Sequence, residues 1–208
     1  MTEVHIVDNA LVAERVTRLR DSSTPNHEFR RLLSDLSSVL VYEAMRQAPL
    51  VPVDITTPMG PATGKRFERL PVVVPVLRAG LGMLDAALDL LGDVQVAFVG
   101  LRRNESTLEA REYASTLPED LDGRDALILD PMLATGGSFV HACELLRAAG
   151  AGRVTAVCVL AAPEGIERVR DAGVADAICV AAVDESLDSN GFILPGLGDA
   201  GDRQFGPP

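Results

Sequence analysis

Basic side chains are in short supply in this sequence. Nineteen Lys and Arg face thirty Asp and Glu, a net charge of −11. Such a field repels nucleic acid and anionic membranes unless a local basic stripe overrides it. The basic residues come in ones and twos, as at Arg30–Arg31 and Arg102–Arg103, so no stripe forms and neither partner is expected. Long apolar runs are missing as well: the stretch Leu70–Leu77 contains prolines and falls far short of a bilayer span. Glu3 and Asp8 stand where a secretion signal would carry basic residues and then an apolar run. Cysteine is scarce and odd in number. Cys143, Cys158 and Cys179 show no CxxC spacing, which points to buried free thiols in a reduced, cytoplasmic compartment. His5, His27 and His141 lie outside every motif and form no cluster with carboxylates, which argues against a permanent metal site. No unit of about 20–50 residues repeats, so a solenoid or propeller is excluded.

What is present suits a globular enzyme-sized chain. The 208 residues are 47% hydrophobic and 24% charged, enough for a single domain with a sizeable core over residues 1–208. Asn9–Arg20 is weakly amphipathic. Phe29, Leu32, Leu33, Leu36 and Leu40 recur at helical spacing, with Thr24-Pro25 as a start signal. Residues 49–68 are rich in Pro, Thr and Gly between short β-like pieces and read as a projecting hairpin arm. The rhythm then changes. Val72–Leu77, Val94–Leu101, Ala126–Leu129, Val154–Leu160 and Ala177–Val183 are apolar runs without alternation, and the helical patterns Leu81–Leu91, Ser138–Ala149 and Glu164–Ala172 lie between several of them. That pattern predicts an α/β fold, a parallel twisted sheet flanked by helices on both faces. Ligands of such sheets sit beyond the carboxyl ends of the strands, so the loops near residues 78, 102, 130 and 184 are the ones to inspect.

The segment Leu127–Ser138 runs from an apolar strand into Asp130-Pro131-Met132-Leu133-Ala134-Thr135-Gly136-Gly137-Ser138 and then into a helix. A turn of this kind can aim backbone N–H groups and a helix dipole at one phosphate. An ordinary strand-to-helix connection capped by Thr135 or Ser138 satisfies the same residues. It is not a Walker A loop, since no Lys follows the glycines. Asp130 to Ser138 resembles the loop that binds 5-phosphoribosyl diphosphate (PRPP) in type I phosphoribosyltransferases. The proline after the first acid, Pro131, is similar to the uracil phosphoribosyltransferases in particular. The resemblance implies that Asp130 holds the ribose hydroxyls and residues 134–138 the 5′-phosphate. It likewise implies that Arg78, in Pro75-Val76-Leu77-Arg78-Ala79-Gly80-Leu81-Gly82-Met83, binds pyrophosphate through a guanidinium suited to bidentate contacts. Gly100–Glu109 is polar and charged, consistent with plain solvated surface or a mobile flap. It resembles the family's flexible loop, with Arg103 reaching the pyrophosphate on closure. Arg102 and Ser106 depart from the usual pattern, which has an aromatic and a second acid there.

The tail Gly191-Phe192-Ile193-Leu194-Pro195-Gly196-Leu197-Gly198-Asp199-Ala200-Gly201-Asp202-Arg203-Gln204-Phe205-Gly206 holds a literal G-x-G-x-x-G. A dinucleotide site is rejected on the expectation that no helix or further βαβ unit can follow before Pro208. A Gly-rich backbone can instead line a flat pocket and match the donor and acceptor order of uracil while rejecting cytosine. The segment is similar to the uracil-binding signature of the family, which implies that Ile193, Gly198, Asp199 and Ala200 contact the base and that Asp199 lies near PRPP as well. Residues 184–208 then form a hood over it. The resemblance extends to the Arg20-Asp21 to Phe29-Arg30 stretch and the Ala161–Gly165 turn. Composition and periodicity by themselves reach only an anion-binding α/β protein.

The resemblance implies UMP synthesis from uracil and PRPP, with Mg²⁺ entering as the PRPP complex and no fixed metal site. Arg78 and Arg103 stabilise the leaving pyrophosphate, Asp130 orients the ribose, and Asp199 orients the base or accepts its proton. A regulatory protein on the same fold is the alternative, and the missing basic face and the intact tail weigh against it. The resemblance further implies a homodimer or larger homo-oligomer, with GTP an activator in some members.

Overall fold

Alternate residues of a strand point to opposite faces of its sheet, so a run that is apolar at every position needs cover on both sides. The protein provides it. The computed structural model describes residues 2–103 and 110–207, with the backbone alone of residues 102, 103, 110 and 111. In chain order the elements are β1 (Glu3–Ile6), α1 (Ala10–Arg20), α2 (Asn26–Ala44), β2 (Leu50–Thr57), β3 (Gly60–Phe67), β4 (Val72–Leu77) and α3 (Leu81–Leu91). There follow β5 (Val99–Arg103), β6 (Ala110–Ser115), β7 (Ala126–Leu129), β8 (Met132–Leu133), α4 (Gly137–Ala148) and β9 (Val154–Ala161). The chain ends with α5 (Pro163–Ala172), β10 (Ala177–Val183), β11 (Ser186–Leu187), β12 (Ile193–Leu194) and α6 (Ala200–Phe205).

The main sheet runs β1-β10-β9-β7-β4-β5-β6, with β8 beside β9, and its pairs are parallel except β5–β6. Val73, Leu127, Leu129, Val157 and Val159 belong to the core under α1, α2 and α3. Val72, Val74, Ile128, Ala156, Cys158 and Val180 belong to the second core, which holds Phe139, Cys143 and Leu146 of α4 and Val169 of α5. Phe29, Leu32, Leu33, Leu36 and Leu40 of α2 are fully or almost fully buried, so the helical spacing read from the sequence is the buried face. Burying each such side chain is worth roughly 1.5–3 kcal/mol. All three cysteines are buried free thiols. Burial pushes the Cys143 and Cys179 thiols up to about 12 and Cys158 well above its ordinary value, so these thiols stay protonated. No described helix is long and apolar enough to cross a membrane.

The expected parallel sheet is present, with several corrections. Residues 94–101 do not form one strand. The strand begins at Val99, and before it the chain meets β4 only as an isolated bridge at Val73, through Val73 N–H to Gln95 O (2.9 Å) and Ala97 N–H to Val73 O (3.0 Å), among the described residues. The polar segment read as a loop from Gly100 starts inside a strand, and β6 returns antiparallel to β5 with a register shift at Gly100/Leu101. Antiparallel pairing needs no crossover helix, so a polar edge strand such as Ala110–Ser115 carries no apolar run to betray it. Strand β1 also escaped the sequence pattern, because only Val4 of its four residues is even half-buried. The hairpin arm at 49–68 is present as β2 paired with β3 from Leu50↔Phe67 to Thr57↔Gly60. It joins no other sheet, and its residues are exposed or half-buried throughout.

Candidate active site

Three chain segments leave the sheet or cross above it on one side and enclose a single crevice of about 900 Å³. The first is the turn after β7. Asp130 opens it, and its Oδ1 accepts the Met132 N–H at 3.2 Å. Desolvation in the crevice pushes the Asp130 carboxyl up to about 7; the Met132 bond opposes the rise and the charge of Asp199 adds to it. Helix α4 then starts at Gly136, in the left-handed region (φ 78°) and with no side-chain cap on the helix end. A Cβ at Gly136 would come within 2.9 Å of Gly165 O, so the turn needs glycine for conformation and for space. The capped strand-to-helix connection is therefore not what the segment forms. The helix end meets the crevice, which Ala134, Thr135, Gly136, Gly137 and Ser138 line, and a helix N-terminus without a side-chain cap is a ready anion site.

The second segment leaves β4. Arg78 and Ala79 line the crevice, and the Leu77–Arg78 peptide is cis. Arg78 Nη2 lies 3.2 Å from Asp202 Oδ1, with both side chains well exposed. A pair in water at this distance is worth at most about 1 kcal/mol, so exchanging Asp202 for a phosphate costs Arg78 little.

The third segment is the tail. Strands β11 and β12 pair as a small hairpin. At its tip Asp188 Oδ1 accepts the N–H groups of Asn190 (2.9 Å) and Phe192 (2.7 Å). Past a cis Leu194–Pro195 bond the chain turns through Gly196 and Gly198 into α6, where Asp199 caps the helix by accepting the Asp202 N–H at 2.9 Å. Arginines of α1 and α2, with one from α6 itself, fix this path. Arg20 grips the buried Asp184 with both terminal nitrogens and donates to Gly196 O at 2.8 Å, while Gly196 N–H donates to Asp184 Oδ2 at 2.9 Å. Arg203 lies over the Phe29 ring, 4.6 Å from its centroid, and donates to Leu19 O (2.6 Å), Leu197 O (3.0 Å) and Asp21 O (2.6 Å). The early Arg20–Arg30 stretch thus serves as the anchor of the tail.

The expectation that no helix follows the G-x-G-x-x-G is corrected by α6, which begins two residues after Gly198. Its six residues lead into no further strand, and β12 pairs only antiparallel with β11, so the βαβ context of a dinucleotide site is absent among the described residues.

Of the residues singled out from the sequence, Arg78, Asp130, Met132, Ala134, Thr135, Gly136, Gly137, Ser138, Ile193, Gly198, Asp199 and Ala200 all line the one crevice. Pro131 and Leu133 do not. Leu133 is fully buried, and both offer their carbonyls to the neighbouring chain, Pro131 O to Val159 and Leu160 N–H and Leu133 O to Ala162 N–H. Residues 104–109 of the expected flap, with Ser106 among them, and the side chains of Arg102 and Arg103 lie outside the described residues. The sequence reading missed Ser189, Asn190 and Phe192, which line the crevice from the β11–β12 tip; a short polar turn gives no signal of where it will point. It also missed Arg168 of α5, whose Nη1 reaches Thr135 O at 3.5 Å and brings a positive charge to the back of the loop.

The arrangement pairs donors for anions (the α4 end and Arg78) with acceptors for hydroxyls (Asp130 and Asp199) and a backbone-lined wall for a flat ring. No group of three or more His, Cys, Asp or Glu among the described residues is placed to hold a metal. A Mg²⁺ ion bound largely by substrate phosphates and water needs only one or two carboxylates, and the crevice lining supplies two.

Comparison with known proteins agrees with this chemistry. A family model described as uracil phosphoribosyltransferase matches residues 6–207. A uracil phosphoribosyltransferase of Streptomyces griseus is 52% identical over 206 residues, 98% of either chain. One from Nocardioides sp. is 49% identical over 207 residues, 97% of either chain. Among solved structures, a protein from Aquifex aeolicus superposes with a TM-score of 0.93 at 38% identity, covering 98% of both chains. The adenine phosphoribosyltransferase of Trypanosoma brucei reaches 0.55 at 13% identity over 93% of this chain and 86% of its own, a likeness of fold.

Proposed function

The chain belongs to the uracil phosphoribosyltransferase family, and from that premise we propose that it joins uracil to PRPP in the crevice described above, giving UMP and pyrophosphate. The observation that carries the site assignment is the shared cavity: Arg78, Asp130, residues 134–138 and residues 198–200 come from distant parts of the chain and line the same space. Its volume lies within the roughly 300–1,000 Å³ of small-molecule sites.

In this reading the 5′-phosphate sits on the N-terminus of α4 and the ribose hydroxyls donate to Asp130. The diphosphate displaces Asp202 from Arg78, and Arg103 reaches it from the end of β5. Uracil lies against Ile193, Gly198 and Ala200. Cleavage of the bond from the anomeric carbon to the diphosphate oxygen sends an electron pair to the leaving group and builds positive charge on the sugar. Arg78 holds the departing anion, and uracil N1 closes the new bond as its proton is lost. Asp199, locked in place as the cap of α6, orients the base. Asp130 and Asp199 are the carboxylates that would hold a Mg²⁺ ion carried in with PRPP, which would supply neutralisation of the diphosphate charge. Most of the acceleration comes from positioning and electrostatics, with no covalent intermediate on the protein.

The same reading makes the protein a cytoplasmic homodimer or larger homo-oligomer, its exposed arm meeting a second subunit. The test is pyrophosphate release from PRPP with uracil, cytosine, hypoxanthine and orotate in turn, each with and without GTP. UMP formation with uracil alone is the expected result, and the GTP arms read whether this member is activated. Equal turnover of cytosine or hypoxanthine, or none with uracil, would overturn the substrate assignment.

A further inference from the structure

Gln204 lies in α6 with no exposed surface, an uncommon place for an amide side chain. Its Nε2 donates to Ala79 O at 3.0 Å and to Ala200 O at 2.8 Å. Those two acceptors belong to two chain segments, far apart in sequence, that line the crevice side by side. Ala79 follows Arg78 in the turn leaving β4, and Ala200 follows Asp199 in the tail; both line the cavity. The amide has one workable orientation, because a flip would set Oε1 against two carbonyl oxygens. The Gln204 backbone carbonyl accepts Arg30 Nη1 at 2.5 Å, which pins the residue from α2 as well. On the far side Gly82 makes room: a Cβ there would overlap Oε1 of Gln204.

Stability alone gives a poor account of this choice. Gln204 Oε1 is buried with no partner among the described residues, and an unmade hydrogen bond is a cost that a leucine would not incur. What the amide supplies is a buried link of fixed length between two lining segments that also meet at the surface through the exposed Arg78–Asp202 pair.

We propose that Gln204 is a positioning residue that couples the two halves of the crevice, holding the Arg78 turn and the Asp199–Ala200 segment in register so that diphosphate and base are presented to one another. The inference rests on the reading of the crevice as the PRPP and uracil site. Transfer requires the reacting atoms about 3–3.5 Å apart, and a misplacement of about 1 Å can cost about 100-fold.

The test uses the full chain. Wild type is assayed first for UMP formation from uracil and PRPP; failure there overturns the substrate reading and, with it, the positioning role that rests on it. With wild type active, Gln204→Leu keeps the volume and removes both donors. Its kcat per folded molecule should fall about 10- to 100-fold, with KM for each substrate moving by less than about threefold. Gln204→Glu is the second variant. Its carboxyl donates one hydrogen bond only when protonated, so its rate relative to wild type at the same pH should recover as pH falls. A Gln204→Leu enzyme with unchanged kcat overturns the proposal. So does a uniform loss of folded protein in both variants with normal turnover in what remains, or failure of both to fold, since each outcome leaves Gln204 a purely structural residue.

Discussion

The surroundings of Asp130 favour its protonated form and oppose the ionised one. With the carboxyl pushed up to about 7 from the ordinary 3.8, the native chain keeps a proton that the unfolded chain has already released between those values. Its contribution to stability is therefore complete below about pH 4, declines as pH rises through about 7, and is flat above. Asn at this position has no such titration. The melting temperature of wild type minus that of Asp130→Asn should fall between about pH 4 and pH 7, a comparison that cancels the opposite slope of paired carboxylates such as Asp176. Ionised Asp130 is also the form that accepts the ribose hydroxyls, so kcat/KM for PRPP should climb through about pH 7 in wild type, and Asp130→Asn should lose at least about 100-fold. Asp199 permits a cleaner substitution. Asn caps a helix as well as Asp, so Asp199→Asn should keep the bond to Asp202 N–H and the melting temperature. A fall in kcat/KM of about tenfold or more would then report the lost charge, and unchanged kinetics would remove that charge from the reaction.

At the scale of elements, the tail is a graft on the sheet fixed by the Arg20–Asp184–Gly196 clasp. Asp184→Ala strands a three-quarters buried guanidinium and the Gly196 N–H. Removing one partner of such a pair costs about 3 kcal/mol, to be read by urea unfolding. The clasp touches neither the α4 turn nor the Arg78 turn, so KM for uracil should rise well beyond any change for PRPP. The α4 turn has the opposite signature. Gly136→Ala forces a side chain into a left-handed conformation and against Gly165 O, a strain of about 1–3 kcal/mol, and KM for PRPP should bear the loss. Apart from residues 94–101, the predicted helices and parallel strands lie close to their observed limits, because burial on one helix face or both sheet faces writes itself into period. β1, β6 and α6 were not legible. They are short or exposed, and what makes them elements is pairing or capping by distant residues: β10 for β1, β5 for β6.

For the whole molecule, the β2–β3 arm is the outstanding feature. A two-stranded hairpin is marginal by itself in water, yet this one leaves Leu50, Ile55, Met59 and Phe67 exposed. Sedimentation should find a dimer or larger species, and replacing Ile55 and Met59 together by Asp should shift it toward monomer. A monomeric wild type would separate the arm from assembly.

The sequence by itself determined the α/β class and the apolar faces, since those follow from local periodicity. Joined to a resemblance, it also located the phosphate turn and the tail, because glycines, an acid and an arginine at strand ends are local necessities of binding anions with backbone. The packed layers alone brought these segments to one cavity, left Pro131 and Leu133 out of its lining, and added Ser189, Asn190 and Phe192 to it. They alone joined Arg20 to Asp184 and Gln204 to Ala79, contacts across more than a hundred residues. Such pairings depend on how packed layers bring strand ends together, and no local pattern in the chain encodes that distance.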